Sequence, residues 1–291
     1  MASSEDMPRL MTSPEAFRQW CKQQREDEHQ LALVPTMGAL HEGHLCLVRE
    51  ARRRATRVVV SIFVNPTQFA PNEDLEAYPR NLDRDLATLK PLGIDAVFAP
   101  SADSMYLKND ATRVRVTGLT QGLCGASRPA HFDGVTTVVS KLFALSGPCV
   151  AVFGQKDFQQ LAILRRMTAD LFLPVEVVSH PIVRTSDGLA LSSRNAFLSK
   201  QERDSALGIV EALRQAHAHH QRGERVVARL RTVVERCIER SGLTLDYAEF
   251  VDPENLKPVD VVDGPCVVAL AARAGSTRLI DNTVLGEEVA P

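Results

Sequence analysis

The sequence predicts an α/β fold: a doubly wound parallel sheet followed by a smaller α+β segment. Three observations carry that reading. Short apolar runs alternate with amphipathic stretches from residue 31 to about 178, the pitch of strand–helix–strand units whose strands lie parallel. Residues 58–64, VVVSIFV, form a continuous β-branched run, as expected of a strand covered on both faces. After about Ile182 the pattern changes to two long helices and two further strands. The expected domains are 1–182 and 183–291.

The elements follow in order. Ser13 caps a first helix, Pro14 fits its first turn, and Phe17, Trp20 and Cys21 fall at helical spacing. Residues 31–35 make a short apolar strand. Residues 43–55 form a helix with Leu45, Val48 and Arg49 in its early turns. The 58–64 strand precedes a helix over 81–92 and a strand over 96–98. Residues 134–145 are helical, 150–153 a strand, 158–171 a helix and 175–178 a strand. In the second segment Ser199 and Glu202 form a capping box for a helix carrying Leu207, Val210 and Leu213. A second helix carries Val226, Leu230, Val233 and Cys237, and strands follow at 245–251 and 266–271.

Composition narrows the function. The 291 residues suggest about two domains. With 44% hydrophobic and 24% charged residues, the chain is an ordinary globular protein able to bury a large core. Thirty-four basic residues against 36 acidic ones leave a net charge of -2, which argues against a nucleic-acid partner. The six cysteines, Cys21, Cys46, Cys124, Cys149, Cys237 and Cys266, form no CxxC, so a reducing cytoplasm is the expected compartment. No apolar run approaches the roughly 20 residues of a membrane span. The start, MASSEDMPRL, is not a secretory signal and reads as a short leader.

Four segments carry chemistry, three of them at the carboxyl ends of strands, where ligands bind in parallel sheets. Residues 35–44, PTMGALHEGH, leave the first strand and open a helix. Gly38 and Gly43 permit close approach, and a helix amino terminus suits phosphate. His41 and His44 lie three apart on one face. In isolation the pair fits either phosphate binding or a structural role; HExGH lacks the spacing of a zinc-protease HExxH. Asn65 and Gln68, in NPTQF, carry amides suited to a carboxylate or hydroxyl, though Asn65 also suits a Pro turn. In GQKDFQQ, residues 154–160, Lys156 suits phosphate and Asp157 ribose hydroxyls; Asp157 with Gln160 is equally a helix-start signal. Residues 188–195, GLALSSRN, offer Ser192, Ser193 and Arg194 in a loop able to close over phosphates. His217, His219 and His220 look metal-like but lack partners at ligand spacing and read as solvated surface.

Together these segments resemble the pantoate–β-alanine ligase (pantothenate synthetase) family of the HIGH-motif nucleotidyltransferase superfamily. PTMGALHEGH, SIFVNPTQF, RPAHFDGV, FGQKDFQQL and DGLALSSRN occur in family order, and the likeness runs from Leu31 to the C-terminal TRLIDN. The resemblance implies a Rossmann-like domain and a cytoplasmic, usually dimeric enzyme. It implies condensation of pantoate with β-alanine using ATP and Mg2+, through a pantoyl-adenylate, with release of AMP and pyrophosphate. It places ATP against Met37, Gly38, Ala39, Leu40, His41, Glu42, Gly43 and His44, against Gly154, Gln155, Lys156 and Asp157, and against Val183, Leu191, Ser192, Ser193 and Arg194. His44 becomes the proton donor, with His41, Lys156 and the Ser192–Arg194 loop on the phosphates. Pantoate falls to Gln68 and Gln160, β-alanine near Gln68, Asn65 beside them, and magnesium near Asp85. Two positions depart from the family: Leu191 where methionine is commoner, and Arg84 where some relatives carry an acid. The rival readings are another adenylyl- or cytidylyltransferase, an inactive nucleotide-binding scaffold, and a tRNA ligase.

Overall fold

The structure, a computed structural model, describes residues 7–71, 73 and 75–286. The leader expected at the start therefore lies largely outside the described residues. The chain divides into two compact units. The first comprises Met1–Gln155 with Ile163–Pro181, the second Lys156–Ala162 with Ile182–Pro291.

The elements of the first unit are β1 (Arg9–Met11), α1 (Pro14–Glu26), β2 (Leu31–Thr36), α2 (Glu42–Arg54), β3 (Arg57–Ile62), α3 (Leu82–Leu89), β4 (Ala96–Phe98), α4 (Ala102–Met105), α5 (Cys124–Ser127), α6 (His131–Ser146), β5 (Cys149–Gly154), α7 (Phe158–Asp170) and β6 (Val175–His180). The first turn of α7 belongs to the second unit. Six parallel strands form one sheet in the order β1-β4-β3-β2-β5-β6. The chain steps outward from β2 through β3 to β4, then returns to place β5 on the other flank of β2. That reversal opens a crevice beyond the carboxyl ends of β2 and β5, the ligand position in such sheets.

Alternating strand residues point to opposite faces, and both faces are covered. On one, Ala32, Val34, Val58, Val60, Val97 and Val152 pack with Leu47, Val48 and Ala51 of α2 and Leu89 of α3. On the other, Phe17 of α1 stacks on Phe98 at 4.4 Å between ring centroids, and Phe143 of α6 meets Phe153 edge-on. Ser13 caps α1 as its sequence implies, its Oγ accepting from the Ala16 N–H at 3.1 Å. The 58–64 run ends as a strand at Ile62, because Asn65 starts a 3-10 turn over Pro66–Gln68.

The second unit contains α8 (Lys200–Gln221), α9 (Val227–Arg240) and an antiparallel sheet β7 (Thr244–Val251), β8 (Cys266–Ala274) and β9 (Thr277–Leu285), in that order. The Ser199–Glu202 capping box is present, with reciprocal bonds of 3.3 and 2.8 Å. Ile209, Leu213, Leu230, Val234, Val268 and Leu270 form the core between helices and sheet. The histidines near the end of α8, expected as solvated surface, are not: His220 is buried and His217 and His219 are half-buried. Among the described residues no helix is long and apolar enough to cross a membrane.

Candidate active site

The loop from β2 to α2 is set by its own backbone. The Gly38 N–H donates to Thr36 Oγ1, which in turn donates to the Ser61 carbonyl. Gly38 and Ala39 then both take positive φ, +82° and +51°, a conformation costly for any residue with a Cβ. Two bonds hold it. Asp85, buried in the first turn of α3, accepts the Ala39 N–H at 3.0 Å on Oδ2 and the Leu40 N–H at 2.8 Å on Oδ1. Position 38 must be glycine, since a Cβ there would lie 2.9 Å from Asp85 Oδ2 and 3.1 Å from Ile62 Cγ2.

The chain leaves this turn through His41, the extended N-cap of α2. The His44 and Leu45 N–H groups donate to the His41 carbonyl at 2.8 and 3.2 Å. The His41 N–H donates to His44 Nδ1 at 3.3 Å. An Nδ1 that accepts carries no proton, so the neutral His44 ring bears its hydrogen on Nε2 and presents it as a donor. The two imidazoles lie 4.1 Å apart between centroids. The paired histidines thus sit at the positive end of a 13-residue helix.

The second loop is organised around Asn65, which is 1% exposed. Its Oδ1 accepts from Tyr106 OH at 2.8 Å, Thr67 Oγ1 at 3.0 Å and the Thr67 N–H at 3.4 Å. Its Nδ2 donates to the Gly134 carbonyl at 3.1 Å and to Gln68 Oε1 at 3.2 Å. Asn65, expected beside the substrate, is therefore occupied by five internal bonds, and it aims the Gln68 amide. Gln68 Nε2 lies 2.9 Å from Met37 Sδ, joining this loop to the first.

The Gln68 carbonyl is clamped as well. It accepts from His131 Nδ1 at 2.9 Å and Arg128 Nη2 at 3.2 Å. Arg128 is paired twice with Glu73, at 2.5 Å each. Burial pushes the Glu73 carboxyl up, but Arg128, the Ala70 N–H and nearby His131 together hold it below the ordinary carboxylate range. Burial likewise pushes the Tyr106 hydroxyl up, keeping it the donor to Asn65. A cavity of about 400 Å³ opens beside Met37 at the ends of β2, β3 and β4, walled by Ile62, Phe63, Leu75, Asn81 and Ala99.

In the second unit, β9 holds two further expected segments. Asn282 Nδ2 donates to the Lys156 carbonyl at 2.9 Å, and Lys156 Nζ lies 3.1 Å from Asp157 Oδ2. The neighbouring Asp281, almost wholly buried, pairs with Arg184 through both oxygens, at 2.6 and 3.0 Å. Arg184 belongs to a tight loop in which the Leu191 N–H donates to the Val183 carbonyl at 2.9 Å. Ser192 Oγ then accepts the Arg194 N–H at 3.3 Å, and Asn195 Nδ2 donates to the Ala190 carbonyl at 3.0 Å. Gln160 lies half-buried in the first turn of α7. Gly154 ends β5, with no atom within 4 Å of where a Cβ would sit.

The expected site residues thus fall into groups. Met37–His44, Asn65 and Gln68 are brought together in the first unit, and Lys156, Asp157, Val183 and Leu191–Arg194 are tied to one strand in the second. Asp85, expected near magnesium, has both carboxylate oxygens accepting backbone N–H groups. Among the described residues no group of three or more His, Cys, Asp or Glu is placed to hold a metal ion. Sequence reasoning assigned no role to Tyr106, Glu73, Arg128, His131, Gly134, Arg184, Asp281 or Asn282. Five of them lie in RPAHFDGV and TRLIDN, motifs that carry the resemblance without revealing what each side chain touches. Tyr106, Glu73 and Arg184 carried no local signal.

A parallel α/β sheet with a histidine pair on its switch-point loop defines a nucleotide-handling enzyme. The profile of the pantoate-beta-alanine ligase family matches residues 9–284, and the chain belongs to that family. It is 52% identical over 281 residues to the pantothenate synthetase of Geobacter sulfurreducens, covering 96% of this chain and 99% of the relative. It is 53% identical over 278 residues to that of Heliobacterium modesticaldum, covering 95% and 99%. The crystal structure of pantothenate synthetase from Thermus thermophilus aligns with a TM-score of 0.90 at 44% identity, covering 94% of this chain and 98% of that one. A pantoate-beta-alanine ligase from Francisella tularensis, complexed with beta-gamma ATP and beta-alanine, aligns with a TM-score of 0.81 at 32% identity, covering 95% and 97%.

Proposed function

We propose that the chain condenses pantoate with β-alanine in two steps. The pantoate carboxylate attacks the α-phosphorus of ATP, forming pantoyl-adenylate and releasing pyrophosphate. The β-alanine amine then attacks the activated carbonyl, and AMP leaves with the former carboxylate oxygen. A free carboxylate resists amide formation because its leaving group would be oxide; adenylation replaces oxide with AMP.

The observation that carries this reading is the orientation of His44. Its Nδ1 is held by the His41 N–H, so Nε2–H is a fixed donor at the positive end of α2. Negative charge builds on the departing pyrophosphate, and fixed donors aimed at that charge stabilise the transition state. His41 contributes from the same helix end. Lys156, Ser192, Ser193 and Arg194 supply the remaining cations and hydroxyls to the phosphates. Met37–Gly43, Gly154, Gln155, Asp157, Val183 and Leu191 line the nucleotide. Gln68, with its amide fixed by Asn65, and Gln160 receive pantoate, and Gln68 also meets β-alanine. The Francisella relative, complexed with beta-gamma ATP and beta-alanine, supports the same substrates. Magnesium fits as an ion carried on the triphosphate, which suits its small demand for protein ligands. The enzyme works in the cytoplasm as a homodimer.

The test is pantoate-dependent exchange of labelled pyrophosphate into ATP without β-alanine, with AMP release on adding β-alanine. His44→Ala removes at least about 100-fold of the exchange rate, the usual scale for one transition-state donor, with the folding transition preserved. Near-normal exchange in that variant sinks the role of His44. A stable nucleotidyl ester in place of AMP sinks the ligase reading.

A further inference from the structure

We propose that Asp85 is a positioning residue for the adenylation step, holding the loop that presents the histidine pair. The proposal rests on the function given above. Consecutive N–H groups of a left-handed turn form a concave nest that attracts anions. Here the turn is Gly38–Ala39, and the anion in it is the protein's own carboxylate. Asp85 takes the Ala39 and Leu40 N–H groups on separate oxygens, at 3.0 and 2.8 Å.

Three features show how closely the arrangement is specified. Asp85 is 3% exposed, so its charge is balanced by directed donors and not by bulk water. The Ala39 φ of +51° is strained for a residue with a Cβ, and such strain persists only where surrounding bonds enforce it. The α3 helix that delivers Asp85 is itself pinned, with Asn81 Oδ1 accepting the Arg84 N–H at 2.9 Å and the Asp85 N–H donating to the Asn81 carbonyl at 3.0 Å.

Two consequences follow. The residue after Leu40 is His41, whose N–H fixes the His44 tautomer; the carboxylate therefore sets a donor one residue removed from the N–H it holds. Because the Ala39 and Leu40 N–H groups are taken by Asp85, the donors left for phosphate in this stretch are those at the amino end of α2. On this reading Asp85 acts through the loop it holds.

Asp85→Asn tests this. The amide keeps the shape but turns an N–H2 toward one of the two N–H groups. The expected result is a fall in pyrophosphate-exchange turnover of about 100-fold, the scale of a misplaced reacting group, with the pantoate KM within about threefold. Raising magnesium tenfold restores nothing. Amide hydrogen exchange, read without substrate, shows Ala39 and Leu40 protected in the wild type and faster in the variant. Rescue by magnesium overturns the proposal, as do turnover within twofold of wild type or unchanged protection of both amides. Should Asp85→Asn fail to fold, Gly38→Ala retains the carboxylate while driving a Cβ to 2.9 Å from Oδ2, and the same signature is expected. A wild-type enzyme without pantoate-dependent exchange defeats the two-step reading, while the amide protection still decides the anchor.

Discussion

Gly134 gives the sharpest test of how this site is built. It lies in the first turn of α6 and has no unusual φ, so its absent side chain must matter for space alone. A Cβ there would stand 2.4 Å from the Thr67 carbonyl oxygen, 2.5 Å from the Thr67 carbonyl carbon and 2.6 Å from the Gln68 nitrogen. All three are backbone atoms, so no rotamer change relieves the contact. To reach ordinary contact at 3.4 Å, the helix and the Pro66–Gln68 turn must separate by about 1 Å. The bond from Asn65 Nδ2 to the Gly134 carbonyl, now 3.1 Å, is stretched or broken by that movement.

Two opposing effects set the stability change. Alanine favours helix over glycine by about 1 kcal/mol, while overpacking costs about 1–3 kcal/mol. The net loss is about 2 kcal/mol at most. Catalysis is more sensitive, because a displacement of about 1 Å at a reacting group can cost about 100-fold. Gly134→Ala is therefore expected to remain folded while losing about 100-fold in turnover or in pantoate kcat/KM, with ATP affinity little changed. Urea denaturation and steady-state AMP release measure the two quantities. A folded variant with kinetic constants within twofold of wild type would show that the position of Gln68 does not depend on this contact.

Two further expectations concern titratable groups. Burial pushes the Cys21 thiol up to about 12 and those of Cys149 and Cys266 up to about 11, so at pH 8 only on the order of one in a thousand or fewer is thiolate. Iodoacetamide should label half-exposed Cys46 and Cys124 first; peptide mass spectrometry showing early labelling of Cys21 would contradict this. Burial, then Arg225 and His217, lower the pKa of His220 from 6.5. The unfolded chain thus takes up the proton first, and stability present above about pH 6.5 is lost as pH falls through the folded value. The urea midpoint should drop between pH 7.5 and 5.5, and less so in His220→Gln; an equal drop in both proteins removes His220 as the cause.

The order of strands and helices was readable because apolar runs and amphipathic stretches alternate over residues 31–98 and again over 134–178. The outer elements were harder. β1 has only three residues, and its pairing with β4 depends on a partner nearly ninety positions away. β9 was recognised only as a motif, although it carries buried Asp281 and Asn282. The histidine loop and Gln68 were legible through their position after strands. The part played by Asp85 was not. An acidic residue in the first turn of a helix is an ordinary dipole partner, and only the folded loop brings the amides of Ala39 and Leu40 to it. His220 failed for a similar reason: a histidine near a helix end looks solvated until α8 is seen packed into the core.

The polar residues of this molecule divide by where their hydrogen bonds go, and the division has a mechanistic consequence. Asp85, Asn65, Arg128, Arg184 and Asn282 direct their donors and acceptors to backbone groups or to internal partners. A net contribution of about 1 kcal/mol per bond makes these modest stabilisers of the fold. Their larger effect is to remove conformations that the loops would otherwise sample. A loop ordered before substrate arrives has no ordering entropy left to lose in the transition state. Substitutions at these anchors should therefore lower turnover more than stability, and double variants within one anchor network should lose less than the sum of the single losses. Asn65→Ala combined with Gly134→Ala is such a pair, since both act through the bond that fixes the Gln68 turn.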